Sequence, residues 1–526
     1  MTSLRRTLLA ALIAQAAILA CYYWAFFTEM FQYPPTLGQP LTPALGASLI
    51  LLAALAVSAR LWSGPGAERF AIASLAHVAA LALFHCAIGL VTGRLVRPAT
   101  AAFLAASLAA GAVIALRRRG RPQAPPNPEP PPCAWDAASA FVLATLMIPT
   151  VFPYIHYDTK YIWACRAFAL DQTPSLGALA RCVHSYAPTV GPAYPPVWSI
   201  LLWLGIEDPV FQGRLLAWIL LPLFALFFRA RMARIDPSLA PPALLFLLVT
   251  VHVWNGAATY YADVPLMIFL VTGSLLVLGL PRRGAETTRS CDPSENALGC
   301  MGRGAETTRS CDRVAGTLCL CAAVLTRPDG IHYLAVVAVA AAWFGLRRKA
   351  PFPAGPFLAA TAAAASWMLL RPASLHVAAQ SPAPNELWRR AGATAGQAAW
   401  NLLLVFLYGS QGQWLSHRGY GVLFYLLAGL AVWRWRRAAP SGYDTRFFGL
   451  VSLGFLAAVL LCFAAMPFLN DMHVPGACRP GTNYLVSYMY CIRTGLGRMT
   501  VHLYPFLILW GVSAVQDVTE PSAKEI

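Results

Sequence analysis

Residues 154–163 read Tyr-Ile-His-Tyr-Asp-Thr-Lys-Tyr-Ile-Trp and follow directly on the apolar run Trp135 to Pro153. A run of that length and composition predicts a membrane span. The segment after it sets a carboxylate, Asp158, a cation, Lys160, and four aromatic side chains at the span's end. Ionisable groups are costly near a bilayer, so their clustering beside interfacial aromatics points to a task for Asp158.

Working outward, the same kind of run recurs along the chain. Hydrophobic residues make up 58% and charged residues 12%, with a mean hydropathy of +0.57. The apolar residues come as continuous runs rather than as one amphipathic stripe, which predicts an all-α, polytopic transmembrane helical bundle of about 14 spans. The first, Thr7 to Phe27, follows Arg5 and Arg6 and ends in Tyr-Tyr-Trp-Ala-Phe-Phe without a small-residue cleavage site, so it reads as a retained span. Ala44 to Val57, Phe70 to Val91 and Ala99 to Leu116 complete a four-span accessory bundle over 1–119. A Pro-rich linker over 120–134 separates it from a main module over 135–515, and 516–526 form a cytoplasmic tail.

Within the main module, spans are expected at Val210 to Phe228, Pro242 to Val253, Val264 to Leu280, Val314 to Leu325, Ile331 to Leu346 and Phe357 to Leu370. Three more follow at Tyr420 to Val432, Phe447 to Phe468 and Met499 to Val515, and Ala398 to Leu407 stays open as a surface or re-entrant helix. The apolar stretch that Tyr194-Pro195-Pro196-Val197-Trp198 opens, ending at Leu204, is too short to cross and is expected to lie flat on the membrane surface.

A net charge of +17 would suggest nucleic acid in a soluble chain. Here the basic residues gather at span ends, as in Arg117 to Arg119, Arg347 to Lys349, and Arg434 with Arg436 and Arg437. They are topology signals, and nucleic acid is not an expected partner. With the N-terminus inside, the positive-inside rule places Asp158, Asp263 and Asp329 together on the outer side.

The loop Pro281 to Arg313 carries a perfect duplicate, Arg283 to Asp292 and Arg303 to Asp312, both Arg-Gly-Ala-Glu-Thr-Thr-Arg-Ser-Cys-Asp. It reads as a tandem insertion in a disordered cytoplasmic loop over 281–313. Cys291, Cys300 and Cys311 lack metal-ligand spacing there, while Cys165 with Cys182, and Cys478 with Cys491, lie on the oxidising side and can pair. His77 and His85, inside one span, are expected to hydrogen-bond across a helix interface. His184, His473 and His502 read as hydrogen-bonded structure, and His156 as a secondary site residue.

Two further turns present carboxylates: Tyr260-Tyr261-Ala262-Asp263-Val264-Pro265 and Leu325-Thr326-Arg327-Pro328-Asp329-Gly330. Each carboxylate also has a plainer reading, as the N-terminal cap of a helix. The series Asp158, Tyr194-Pro195-Pro196, Ala262-Asp263-Val264-Pro265 and Thr326-Arg327-Pro328-Asp329-Gly330, with Arg498 ahead of Tyr504-Pro505-Phe506, resembles the GT-C superfamily of membrane glycosyltransferases. That group includes protein O-mannosyltransferases and lipid A aminoarabinose transferases. The resemblance covers Trp135 to Val515. It implies a polyprenyl-phosphate-linked sugar as donor, a protein, glycan or lipid acceptor, membrane lipids around the chain, and a multi-pass protein of a bacterial inner (cell) membrane with its site on the outer face.

Transfer from a lipid phosphate needs a base for the acceptor hydroxyl and cations for the departing phosphate. Asp158 is the candidate base; Lys160, Arg327 and Arg498 are the candidate cations, with Asp263, Asp329, His156 and Tyr194 completing the site. Many members of the superfamily carry two adjacent acids where this chain has Asp158 followed by Thr159. A divalent cation therefore loses its expected ligand pair, and no cofactor is assigned. The competing readings are a transporter or lipid flippase, which would bury ionisable groups near the midplane, and a non-catalytic assembly subunit.

Overall fold

The computed structural model describes residues 66–117, 133–146, 163–181, 195–204, 213–258, 261–279, 298–327, 329–348, 352–370, 429, 447–459 and 501–519. These residues form helices and turns, with no strand among them. In chain order the helices are α1 (Gly66–Thr92), α2 (Pro98–Arg117), α3 (Ala134–Thr145), α4 (Cys165–Gln172), α5 (Val197–Leu204), α6 (Gly213–Ala233), α7 (Ala240–Leu248) and α8 (Val251–Ala258). Then come α9 (Asp263–Leu278), α10 (Leu298–Val324), α11 (Gly330–Arg348) and α12 (Ala354–Leu370). The last two are α13 (Phe447–Val459) and α14 (Leu503–Thr519).

Among the described residues α1 is long and apolar enough to cross a membrane, and α7 with α8 meets the same test as a pair bent by 64°. The span expected at Pro242 to Val253 is thus a broken helix. Pro241 and Pro242 sit in the first turn of α7, where the missing N–H costs nothing. At the break the Thr250 hydroxyl donates to the Phe246 carbonyl, at 3.0 Å.

The core is built around α9 and α10. From Asp263 to Val277 every residue of α9 is buried, as expected for a helix apolar all round. α9 crosses α10 at a glycine pair: a Cβ on Gly273 would lie 2.9 Å from the Gly316 carbonyl oxygen, and one on Gly316 would lie 3.0 Å from that of Gly273. Small residues here let the two backbones touch. α10 also packs on α1, α11 and α12. Of the expected accessory bundle, α1 contributes Ala71, Leu75, Ala79 and Ala82 to the same core cluster as α9 and α10.

The helix α5 is another correction. From Val197 to Trp203 it is wholly buried, packed on α1, α4 and α6, rather than lying flat at a surface. Val-Trp-Ser-Ile-Leu-Leu-Trp has no polar face to offer water or headgroups, so burial on all sides is the favourable solution. Of the two histidines of α1, His85 makes the expected interhelical bond, 2.8 Å to the Thr100 hydroxyl, whereas His77 bonds within its own helix, 3.0 Å to the Ala73 carbonyl. Cys165 is disulfide-bonded; Cys182, Cys478 and Cys491, named in the expected pairs, lie outside the described residues.

Ion pairs mark the two ends of the bundle. At one end Arg229 grips Asp136 of α3 with two hydrogen bonds of 2.6 and 2.8 Å. Beside it, Glu68 of α1 takes both Arg231, at 2.9 Å, and Arg234, and Arg231 also faces Asp312 of α10 at 3.7 Å. Burial pulls the Arg231 pKa below its ordinary value, and the neighbouring Glu68 and Asp312 carboxylates oppose that pull. At the other end Arg97 pairs with Asp171 and stacks over Trp203, and Arg327 pairs with Asp263 and Asp329. Along α10, Asp312 and Leu325 stand about 20 Å apart.

Asp312 overturns the expectation of a disordered loop as far as Arg313. Residues 298–313 belong to α10, so the second duplicate is helical and its last residue docks on Arg231. Thr307, Thr308 and Arg309 offered no apolar periodicity to announce this, and the helix is carried by its continuation into the core. Because the two copies are identical, removing residues 283–302 leaves a full copy, ending in Asp, joined to Arg313. That deletion is expected to leave thermal stability unchanged. Removing Gly302 to Asp312 instead puts Met301 next to Arg313 and should cost about 1 kcal/mol, read as a lower melting temperature. Equal melting temperatures for the two deletions would refute the docking role.

Candidate functional site

Two turns far apart in sequence meet at the Arg327 end. Asp263 is the first residue of α9, and its carboxylate accepts a hydrogen bond from Arg327 Nη1. Arg327 Nε donates to Asp329 Oδ1 at 2.9 Å. The three side chains are 12%, 2% and 15% exposed for Arg327, Asp263 and Asp329. Asp263 thus stands in an ion pair in a largely buried setting.

The turn itself is fixed by its backbone. The Thr326 hydroxyl donates back to the Ala322 carbonyl at 2.7 Å, holding the end of α10. Gly330 is required at the start of α11, since a Cβ there would lie 2.8 Å from the Ala323 carbonyl oxygen. The Pro195-Pro196 segment docks on the same turn: the Val197 N–H donates to the Leu325 carbonyl at 3.0 Å. Arg166, fully buried, reaches from α4 toward the Pro195 carbonyl at 3.5 Å. Three of the motifs singled out in the sequence are thus physically contiguous.

One guanidinium against two carboxylates leaves this trio net negative. Arg327, expected as a cation for phosphate, has its charge engaged here by Asp263 and Asp329. What the arrangement offers is a held carboxylate, able to accept hydrogen bonds from hydroxyl or amine groups. The remaining proposed site residues, His156, Asp158, Lys160, Tyr194 and Arg498, lie outside the described residues. Trp163, at the end of the opening stretch, is buried in the core.

The sequence reading missed what His502 does. It was expected to be hydrogen-bonded structure, yet the residue is fully buried and, among the described residues, neither ring nitrogen has a hydrogen-bond partner. It lies within electrostatic reach of Asp263, Asp329 and Arg327, and its ring meets Tyr333 edge-on, with centroids 4.5 Å apart. A histidine two residues ahead of the Tyr504-Pro505 helix start carried no periodic signal. Arg166 was missed as well; a lone arginine in Trp163-Ala164-Cys165-Arg166-Ala167-Phe168 was its only trace.

Among the described residues no group of three or more His, Cys, Asp or Glu side chains stands close enough to hold a metal ion. The chain matches no family model, and no curated protein or solved structure matches it.

Proposed function

We propose that the chain is a GT-C-like membrane glycosyltransferase of about 14 spans, moving a sugar from a polyprenyl-phosphate donor to an acceptor hydroxyl at the outer face. The observation that carries the reading is the Asp263–Arg327–Asp329 trio with the Pro195-Pro196 segment seated on it, because these are the turns in which the resemblance resides. In this reading Asp158 is the base, Lys160 and Arg498 are the cations for the departing phosphate, and Arg327 orients Asp263 and Asp329.

Two further features support a membrane setting. The ion pairs sort by face: Arg97 with Asp171, and Arg327 with Asp263 and Asp329, join residues assigned outside. Arg229 with Asp136, and Glu68 and Asp312 with the α6 arginines, join residues assigned inside. Val339, Leu346, Leu358 and Leu369 of α11 and α12 are mostly exposed, as side chains facing lipid would be. Ser294, in the 281–313 loop, is accordingly expected inside. A cysteine introduced at Ser294 should resist an impermeant thiol reagent added to intact cells, and labelling from outside would reverse the assigned orientation.

The test of function is transfer of labelled sugar from polyprenyl-phosphate donors by the purified full chain in sealed vesicles. Donor-dependent appearance of label on an acceptor is expected. The bent pair α7–α8 favours a second reading, since transporters place their sites at broken helices. Movement of intact donor across the vesicle without transfer would select that reading and overturn the first.

A further inference from the structure

The Arg327 trio leaves one hydrogen-bonding position open. Asp329 Oδ1 takes Arg327 Nε, while Asp329 Oδ2 is buried and has no hydrogen-bond partner among the described residues. His502 is in the same condition with both nitrogens. Burying polar atoms unpaired is unfavourable, and two such groups within electrostatic reach of each other, one able to donate and the other only to accept when ionised, are chemically complementary.

Their backbones keep them together. Asp329 precedes α11, and its carbonyl accepts the N–H groups of His332 and Tyr333 at 3.0 and 3.3 Å. Tyr333, one helical turn beyond Asp329, shares its face of the helix. The His502 ring rests on that Tyr333 ring. His502 is itself anchored just before α14, where the Tyr504 N–H donates to the Val501 carbonyl at 3.3 Å.

We propose that His502 is a positioning residue of this site, donating a ring N–H to the open oxygen of Asp329 when substrate engages the trio. The inference rests on the transferase reading. The hydrogen bond fixes the Asp329 carboxylate and, through Arg327, the carboxylate of Asp263. In the unliganded protein the imidazole contributes packing against Tyr333 and carries the cost of two unpaired nitrogens. Polar groups held at such a cost are characteristic of functional sites.

The experiment compares His502→Phe and His502→Gln with the wild-type full chain, reading both melting temperature and transfer kinetics. Phenylalanine keeps the ring contact with Tyr333 and removes the unpaired nitrogens, so His502→Phe should melt at the same temperature or higher. Its kcat should nevertheless fall at least roughly tenfold with little change in KM for the donor. His502→Gln, which restores an N–H donor, should recover kcat to within about threefold of wild type. A purely structural imidazole would give the reverse: a lowered melting temperature, or failure to fold, for His502→Phe. That result overturns the proposal, as does full activity of His502→Phe, and either leaves the transferase reading intact. A wild-type chain without transfer sinks both.

Discussion

Arg327→Ala is expected to destabilise the protein by about 3–5 kcal/mol, the cost of leaving a buried charge without its partner. Asp263 is 1% exposed, and Arg327 is the cation its carboxylate faces. Removing the guanidinium takes away the cation paired with that buried carboxylate and frees Asp329 Oδ1 at the same time. Thermal unfolding of the detergent-solubilised chain measures the loss. Asp263→Asn in the same background should recover much of it, because a neutral amide needs no counter-charge, so the double variant should melt above Arg327→Ala alone. Strictly additive effects of the two substitutions would mean that the pair is not coupled. This outcome also separates the present role of Arg327 from phosphate binding, which would lower donor affinity and leave stability nearly untouched.

Asp158→Asn is expected to lower turnover by roughly 10² to 10⁴ with donor affinity little changed. Asparagine keeps the size and much of the hydrogen bonding of the carboxylate and loses its capacity to take a proton. If Asp158 merely caps or anchors a neighbouring cation, the substitution instead costs about 1 kcal/mol of stability and spares turnover in the folded protein. Single-turnover transfer with a saturating labelled donor decides between these, because it reads the chemical step apart from product release. Turnover near the wild-type rate would remove Asp158 as the base while leaving the role of the Arg327 trio open.

Much of the helical layout was legible. The expected spans Phe70 to Val91, Ala99 to Leu116, Ile331 to Leu346 and Phe357 to Leu370 correspond closely to α1, α2, α11 and α12, since continuous apolar composition is a local property. Where a helix depends on its neighbours, the reading failed. The polar residues 298–313 are helical because α10 continues into the core and Asp312 docks on Arg231. The α5 segment is buried because α1, α4 and α6 surround it.

The sequence by itself determined that the chain is built of helices, and that Asp263, Arg327 and Asp329 sit in turns at helix ends. Apolar run length and the positions of proline, glycine and charge require no partner to be read. Only the tertiary structure decided that Asp263 and Asp329 share one arginine, that the Pro195-Pro196 segment rests on their turn, and that His502 lies beside them with both nitrogens unpaired. Those relations join residues up to 239 positions apart, from Asp263 to His502. They arise from the packing of α9, α10, α11 and α14, and the electrostatic cost of a buried carboxylate selects its partner after the chain has folded, wherever in the sequence that partner stands.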